Sequence, residues 1–428
     1  MSLNRSQAPA VAELTTDLSI TPEVVSTPSG ARLHIFQNNI QPVTRIEFVF
    51  QAGKWYQPKA GVASLTAKML KEGTQSYTAK QIADMVDYYG ASLEVNHGFD
   101  RATVTLYCLS KFVPTLLPLA FEVIYHPSFP EAELSLMKQR VIQTLSVDKQ
   151  KNSYLATEAF TTAIYGQQHP YATLITAEEI EAITVDDLVN FHKEAYTFST
   201  AEVFVTGDVT PADIERLRTG IKAESSSNKV GLSVPASEPK TGVQVERTAN
   251  EMQASIRVGK PSLRPSHHDY PALYLLNHIF GGYFGARLMK NIREDKGFTY
   301  GIYSSLTHKE QNSLFTIGTD IKGDKVNETL EEISKEMATL RNEPIPAEEL
   351  ETAKKHLSGK FLSDHATIFD KMDRYRSNTL LGLPTTFYTD LLQQIQLLSA
   401  EQLQEVANKY FVDADLIKIV TGGVNKQE

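Results

Sequence analysis

Two short segments recur at one fixed spacing, and that spacing limits the folds open to this chain. Thr184-Val185-Asp186-Asp187-Leu188 corresponds to Ser399-Ala400-Glu401-Gln402-Leu403, and Val205-Thr206-Gly207-Asp208-Val209 to Val420-Thr421-Gly422-Gly423-Val424. Both pairs lie 215 residues apart (399 − 184 and 420 − 205), and Tyr196 and Phe411 agree at the same spacing. Equal offsets in separate segments mark a duplicated unit. In each copy a hydroxyl residue, Thr184 or Ser399, precedes a helix, with Asp187 or Gln402 at its third position. The expected fold class is α+β: two homologous halves, each an antiparallel sheet with helices on one face, meeting as a clamshell.

A chain of 428 residues can hold two such cores. The stretch 221–242, IKAESSSNKVGLSVPASEPKTG, turns to Ser, Lys, Pro and Gly and reads as the linker. It separates an N-terminal half over 1–220 from a C-terminal half over 243–428. In the first half, Pro28-Ser29-Gly30 punctuates a hairpin, and Val43 to Phe50 alternates as a core strand. Thr78 to Gln81 is a capping box opening a helix that Gly90 stops. Glu131 to Phe160 reads as long helix, broken near Asn152. In the second half, strands are expected near 252–258, 298–306, 313–320 and 416–421, with helices at 270–280 and 286–293.

The net charge of −9, without a basic cluster, argues against a nucleic-acid-binding body. No apolar run approaches the ~18 residues of a membrane span. Met1 to Asp17 lacks the apolar centre of a signal peptide, which suggests a cytoplasmic protein, or a periplasmic one if a signal has been removed. The single cysteine, Cys108, excludes an internal disulfide framework and a Cys-based zinc site, and its place in an alternating apolar run marks a buried thiol.

Three segments carry the functional reading. The first is Gly61 to Thr74, GVASLTAKMLKEGT, a helix closed by Gly73-Thr74. The second is His169-Pro170-Tyr171 after the long helix. The third is LMKNIREDKGFTYGIYSS, Leu288 to Ser305. Together they resemble the pitrilysin/insulinase-type zinc metallopeptidases, in the small two-domain branch related to mitochondrial processing peptidase and the respiratory core proteins. The resemblance covers about residues 25–424. In the active members the first segment carries His-x-x-Glu-His: two histidines four apart on one helical face hold zinc, and the Glu activates its water. The resemblance puts Ser64, Ala67 and Lys68 at those positions, and Thr144, or Gln143, at the downstream Glu ligand. Ser and Thr are poor zinc ligands, Ala67 accepts no proton, and Lys68 puts an ammonium where a cation would sit. None of the eleven histidines forms His-x-x-Glu-His or His-Glu-x-x-His. His192-Lys193-Glu194 and His308-Lys309-Glu310 resemble the front of a deaminase motif, but the paired cysteines are missing. His267-His268, beside Pro265, reads as a solvated loop. No metal and no cofactor are expected in this chain.

In the second half, Arg293 and Tyr300 match a pair that, in the family, reaches the substrate near the scissile bond. Both are good donors to a peptide carbonyl or oxyanion. The local residues leave another reading open: Arg293 pairing with Glu294 or Asp295, and Tyr300 merely packing. The loop Gly281-Gly282-Tyr283-Phe284-Gly285 matches a substrate-contacting loop of the metal-less processing-peptidase subunit, so Gly281 and Gly282 join the candidate binding residues. It is equally a tight turn, and without a following Lys-Ser/Thr it is no phosphate loop. The resemblance implies a non-catalytic subunit that pairs with a homologous zinc-bearing subunit and holds a peptide substrate over that partner's metal. A structural subunit like the respiratory core proteins, a stand-alone peptide-binding module, and a homodimer of the isolated chain are the other expectations.

Overall fold

The computed structural model describes residues 18–172, 174–222, 241–246 and 252–423. The N-terminal half contains β1 (Glu23–Ser26), β2 (Arg32–Gln37), β3 (Val43–Phe50), α1 (Val62–Met69), α2 (Ala79–Tyr88), β4 (Ser92–His97), β5 (Ala102–Leu109), α3 (Val113–Tyr125), α4 (Glu131–Asp148), α5 (Asn152–Tyr165), α6 (Ala177–Glu181), α7 (Val185–Ala195), β6 (Glu202–Gly207) and α8 (Pro211–Gly220). The C-terminal half contains β7 (Gly242–Glu246), β8 (Gln253–Pro261), α9 (Tyr270–Gly281), β9 (Thr299–His308), β10 (Ser313–Lys322), α10 (Val326–Asn342), α11 (Ala347–Ser363), α12 (Ile368–Leu380), α13 (Phe387–Leu397), α14 (Ala400–Tyr410) and β11 (Ile417–Gly422). Most of the linker expected at 221–242 lies outside the described residues, as does Val424.

The duplication is visible in the strand orders. The first sheet runs β1-β2-β6-β3-β5-β4 and the second β7-β11-β8-β10-β9. β2–β6 and β7–β11 are the parallel pairs, and the other pairings are antiparallel. Thr184 and Ser399 each complete a capping box, as Thr78 does. Each box satisfies two backbone N–H groups that the first helical turn leaves open. The break expected near Asn152 separates α4 from α5.

Each sheet has its main core on one face. Ile46, Phe48, Val203 and Val205 point into the first, and Ile256, Val258, Ile317 and Val420 into the second. The opposite faces are covered by a reciprocal exchange. α5, from the first half of the chain, packs on β8 and β11 through Ala156, Phe160 and Ile164 against Leu314, Ile417 and Ile419. α12, from the second half, packs on β6 and brings Met372 and Tyr375 against Val49 and Phe204. Burial on both faces is why β6 reads Val203-Phe204-Val205 without polar alternation.

Polar contacts fix the exchanged helices. His34 bridges the Tyr375 hydroxyl (Nδ1, 2.7 Å) and Glu202 (Nε2, 2.9 Å). Glu47, nearly buried, is paired with Arg376 and Arg45, and Arg45 reaches Asp373 at 2.8 Å. Burial raises the Glu47 pKa while the two guanidinium groups oppose that rise. On the other side, the Asn152 amide donates to Gln253 O at 2.8 Å. Among the described residues no helix is long and apolar enough to cross a membrane.

Candidate functional site

α1 occupies the place the sequence assigned to it. Val62, Ala63, Leu65, Thr66, Ala67 and Met69 are buried, and the helix packs on α7, β4 and α4. Gly61 starts it with φ +88°, where a Cβ would come within 3.0–3.1 Å of the Ile175 and Ile183 methyls. On the remaining face Ser64 is half-buried and Lys68 is exposed. The Ser64 hydroxyl lies 3.0 Å from His97 Nε2, at the end of β4. Burial first, then Lys54 and Lys68, pushes His97 down to about 4, so the ring is neutral at pH 7. Thr144, on the exposed side of α4, donates its hydroxyl to Arg140 O at 2.9 Å, a carbonyl of its own helix.

This donor set does not fit zinc. It offers one imidazole already engaged with a hydroxyl, a methyl group at Ala67, and two lysines whose charge disfavours any cation. Among the described residues, the one group of three potential ligands close together is His267, His268 and Asp269. There the Asp269 carboxylate already accepts from Tyr410 (2.8 Å) and Lys409 (3.4 Å), its N–H donates to His267 Nδ1, and His268 is largely exposed. It is the solvated loop that the sequence suggested.

The second-half candidates lie where α9 turns back towards the sheet. The helix expected at 286–293 is π-helical over Met289–Asp295. Such a widened turn shifts the side chains after it. Arg293, at its end, forms no ion pair with Glu294 or Asp295. Its guanidinium lies over the Phe284 ring, 4.7 Å from the centroid. In β9, Ile302 faces Thr319 and Thr299 faces Ile321, so Tyr300 and Gly301 together oppose Asp320. This is a β-bulge, and it leaves Tyr300 97% exposed on an edge strand. The Thr299 hydroxyl donates to Asp320 O (2.7 Å) and accepts from Gly301 N (3.1 Å), which holds the bulge. Arg293 and Tyr300 thus come from neighbouring elements, the guanidinium resting on Phe284 and the Tyr300 side chain open to solvent. Gly281 and Gly282 are placed differently. A Cβ on Gly281 would fall 2.8 Å from Ser304 N, and one on Gly282 2.7 Å from His278 Cα. Close packing accounts for both glycines without a ligand.

His169-Pro170-Tyr171 has a role the sequence did not reveal. The tip of the β9–β10 hairpin enters the first half beside it. Tyr171, fully buried, donates to Asp100 Oδ1 at 2.5 Å and accepts from Gln311 N at 3.2 Å. Asp100 Oδ2 accepts from Glu310 N at 3.1 Å, and Arg101 pairs with Glu310. Lys309 sits among three rings, 3.6 Å from the Phe99 centroid, 4.4 Å from Tyr171 and 5.1 Å from Tyr165. Burial and Lys54 lower its pKa to about 8 against the pull of Asp100. His97, Asp100 and Lys309 carry no local signal, because their partners are remote in sequence.

This architecture, two duplicated halves each built on a sheet with helices packed against it, is that of a known metallopeptidase scaffold. The family described as insulinase (peptidase family M16) matches residues 34–178, and the M16 inactive domain matches 182–357. The chain belongs to the M16 peptidase family. It is 23% identical over 370 residues to an uncharacterized zinc protease of Bacillus subtilis (strain 168), covering 85% of this chain and 89% of that protein. It is 24% identical over 403 residues to a non-peptidase homolog of Helicobacter pylori (strain ATCC 700392 / 26695), covering 92% of each. A crystal structure described as a peptidase M16 inactive domain from Pseudomonas fluorescens superposes with a TM-score of 0.86 at 27% identity, over 96% of this chain and 100% of that one.

Proposed function

We propose that this chain is the non-catalytic subunit of a heterodimeric M16 zinc endopeptidase. Arg293 and Tyr300 bind the peptide, and a homologous partner supplies the metal. The observation that carries this reading is Tyr300, a large aromatic held almost wholly in solvent by a bulge in β9, the strand that packs against the π-helical turn carrying Arg293. Full exposure of a phenol gives up burial worth about 1.5–3 kcal/mol and is not needed by the fold. The cationic face of α1 supports the other half of the reading, since it disfavours a metal of this chain's own. The non-peptidase name of the H. pylori relative agrees with that half. Gly281 and Gly282 serve by letting the loop pack close enough to carry Phe284 under Arg293.

The test mixes this chain with a homologous M16 subunit that carries His-x-x-Glu-His and measures peptide cleavage. Wild type is expected to support cleavage, with Arg293→Ala and Tyr300→Phe each lowering the rate by roughly 10²-fold, as for loss of one oxyanion donor. The chain alone is expected to cleave nothing and to contain no stoichiometric zinc by metal analysis. Equal rates for all three proteins sink the substrate role and favour a purely structural subunit. One tightly bound zinc per chain sinks the non-catalytic reading.

A further inference from the structure

The second half forms a partly open cavity of about 270 Å³ between α9, α11, α12 and α13, bounded on one side by the end of β9. None of Arg293, Tyr300, Gly281 or Gly282 lines it. A dry apolar cavity of about 150 Å³ accepts benzene, so the volume suits a molecule of roughly ten heavy atoms. Its walls combine apolar side chains with polar groups that the fold does not satisfy. The Asn378 side chain is 3% exposed, and its amide has no hydrogen-bond partner among the described residues. His365 is equally buried. Its Nδ1 engages Phe361 O at 2.7 Å, which leaves Nε2 as the acceptor. Burial keeps that ring neutral. The Tyr274 hydroxyl has no partner either, and burial raises it to about 12, so it remains a donor. These groups face the open cavity, where a bound molecule can take the place of water as their partner.

The charge at the mouth selects the kind of molecule. Lys360 and Arg374, both half-exposed, converge on the same oxygen of Asp364, each at 2.7 Å. Two cations share one carboxylate, and no other acidic side chain lines the cavity among the described residues. One positive charge is therefore left over beside an interior of mixed lining, with Phe387 and Leu391 on its apolar side. We propose that this cavity binds a small organic monocarboxylate with an aromatic or branched apolar body. Its carboxylate bridges Lys360 and Arg374 at the mouth, and its body lies against Phe387 and Leu391. A bound molecule touches α9, α11, α12 and α13 at once. α12 is the helix exchanged onto the first sheet, so occupancy also braces the joint between the halves.

The experiment is calorimetric titration of the full chain with 3-phenylpropionate, compared with 3-phenylpropan-1-ol and 3-phenylpropylamine. The carboxylate is expected to bind one to one, at least about tenfold tighter than the alcohol, the size of one charge-assisted contact, with no binding of the amine. Lys360→Gln is expected to weaken it about tenfold, and Asn378→Leu to abolish it. Lys360 is half-exposed, so its variant folds and keeps the test decisive even if Asn378→Leu does not. Absence of carboxylate binding, equal binding of the alcohol or the amine, or full affinity in Lys360→Gln overturns the proposal.

Discussion

Removing one hydroxyl, in Tyr171→Phe, should loosen the join between the two halves. The ring contacts survive the change: Trp55, Phe99, Tyr165 and Lys309 all still meet an aromatic face. What is lost is the 2.5 Å bond to the Asp100 carboxylate and the acceptor for Gln311 N. A hydrogen bond to a charged group contributes about 1.5–3 kcal/mol net. The Gln311 amide adds little, because that residue is exposed and water can replace the hydroxyl. Asp100 keeps its bond from Glu310 N, so it is not stranded. The expected loss is therefore about 2–3 kcal/mol in urea unfolding. Combined with Asp100→Asn in a double-mutant cycle, the coupling should be roughly 1.5–3 kcal/mol. Hydrogen exchange locates the effect: the amides of Glu310 and Gln311 should exchange faster while those of β8 do not. A coupling below about 0.5 kcal/mol, the usual error of additivity, would refute the reasoning. So would unchanged exchange at the hairpin tip.

Three further outcomes follow from the same geometry. Lys68→Ala should raise the His97 pKa from about 4, but not back to 6.5, because burial is the larger cause and remains; an NMR titration of the ring proton reads it, and no change would mean that Lys68 does not face His97. His97, His192 and His308 are held near 4 and His278 near 3, so the folded state stays neutral at these positions while the unfolded chain takes up protons below 6.5. Stability should fall as pH drops from 7 to 5, with each histidine contributing up to about 1.4 kcal/mol per pH unit, and a flat urea midpoint over that range would contradict it. Gly281→Ala should destabilise by about 1–3 kcal/mol, since its methyl would press on the Ser304 backbone, and a melting temperature equal to wild type would show that the loop has room.

The duplication, the capping boxes and the helix after Gly61 were legible because each is written in a short window. Thr184 and Ser399 cap their helices through neighbours three residues on, and periodicity alone assigns Val43–Phe50 to a core strand. The helix exchange was not legible, although it left a trace. Val203-Phe204-Val205 lacks the alternation of a one-sided sheet, and Phe204 is the residue that α12 covers. The bulge at Tyr300 hides for another reason. Its only local sign is Gly301, and a glycine in a strand can equally mark close backbone approach. His97 and Asp100 were invisible, since what they do depends on Ser64 and on a hairpin about 210 residues away.

The packing of α1 shows how a helix of this scaffold keeps its place whatever its outer face carries. In a structural zinc site the metal contributes the folding free energy, and changing the ligands unfolds the domain. Here the helix is held by what lies beneath it. Leu65 and Met69 are fully buried, and each contributes about 1.5–3 kcal/mol whatever the outer face carries. Ser64 and Lys68 sit on that outer face, where substitution costs the core nothing. Ala67 differs, being wholly buried, so a longer side chain there would have to displace its neighbours. The face is also closed: Ser64 is bonded to His97, and burial, helped by Lys54 and Lys68, keeps that ring neutral. Introducing two histidines on this face would not by itself make a zinc site. The cationic neighbours and the space at Ala67 would have to change with them.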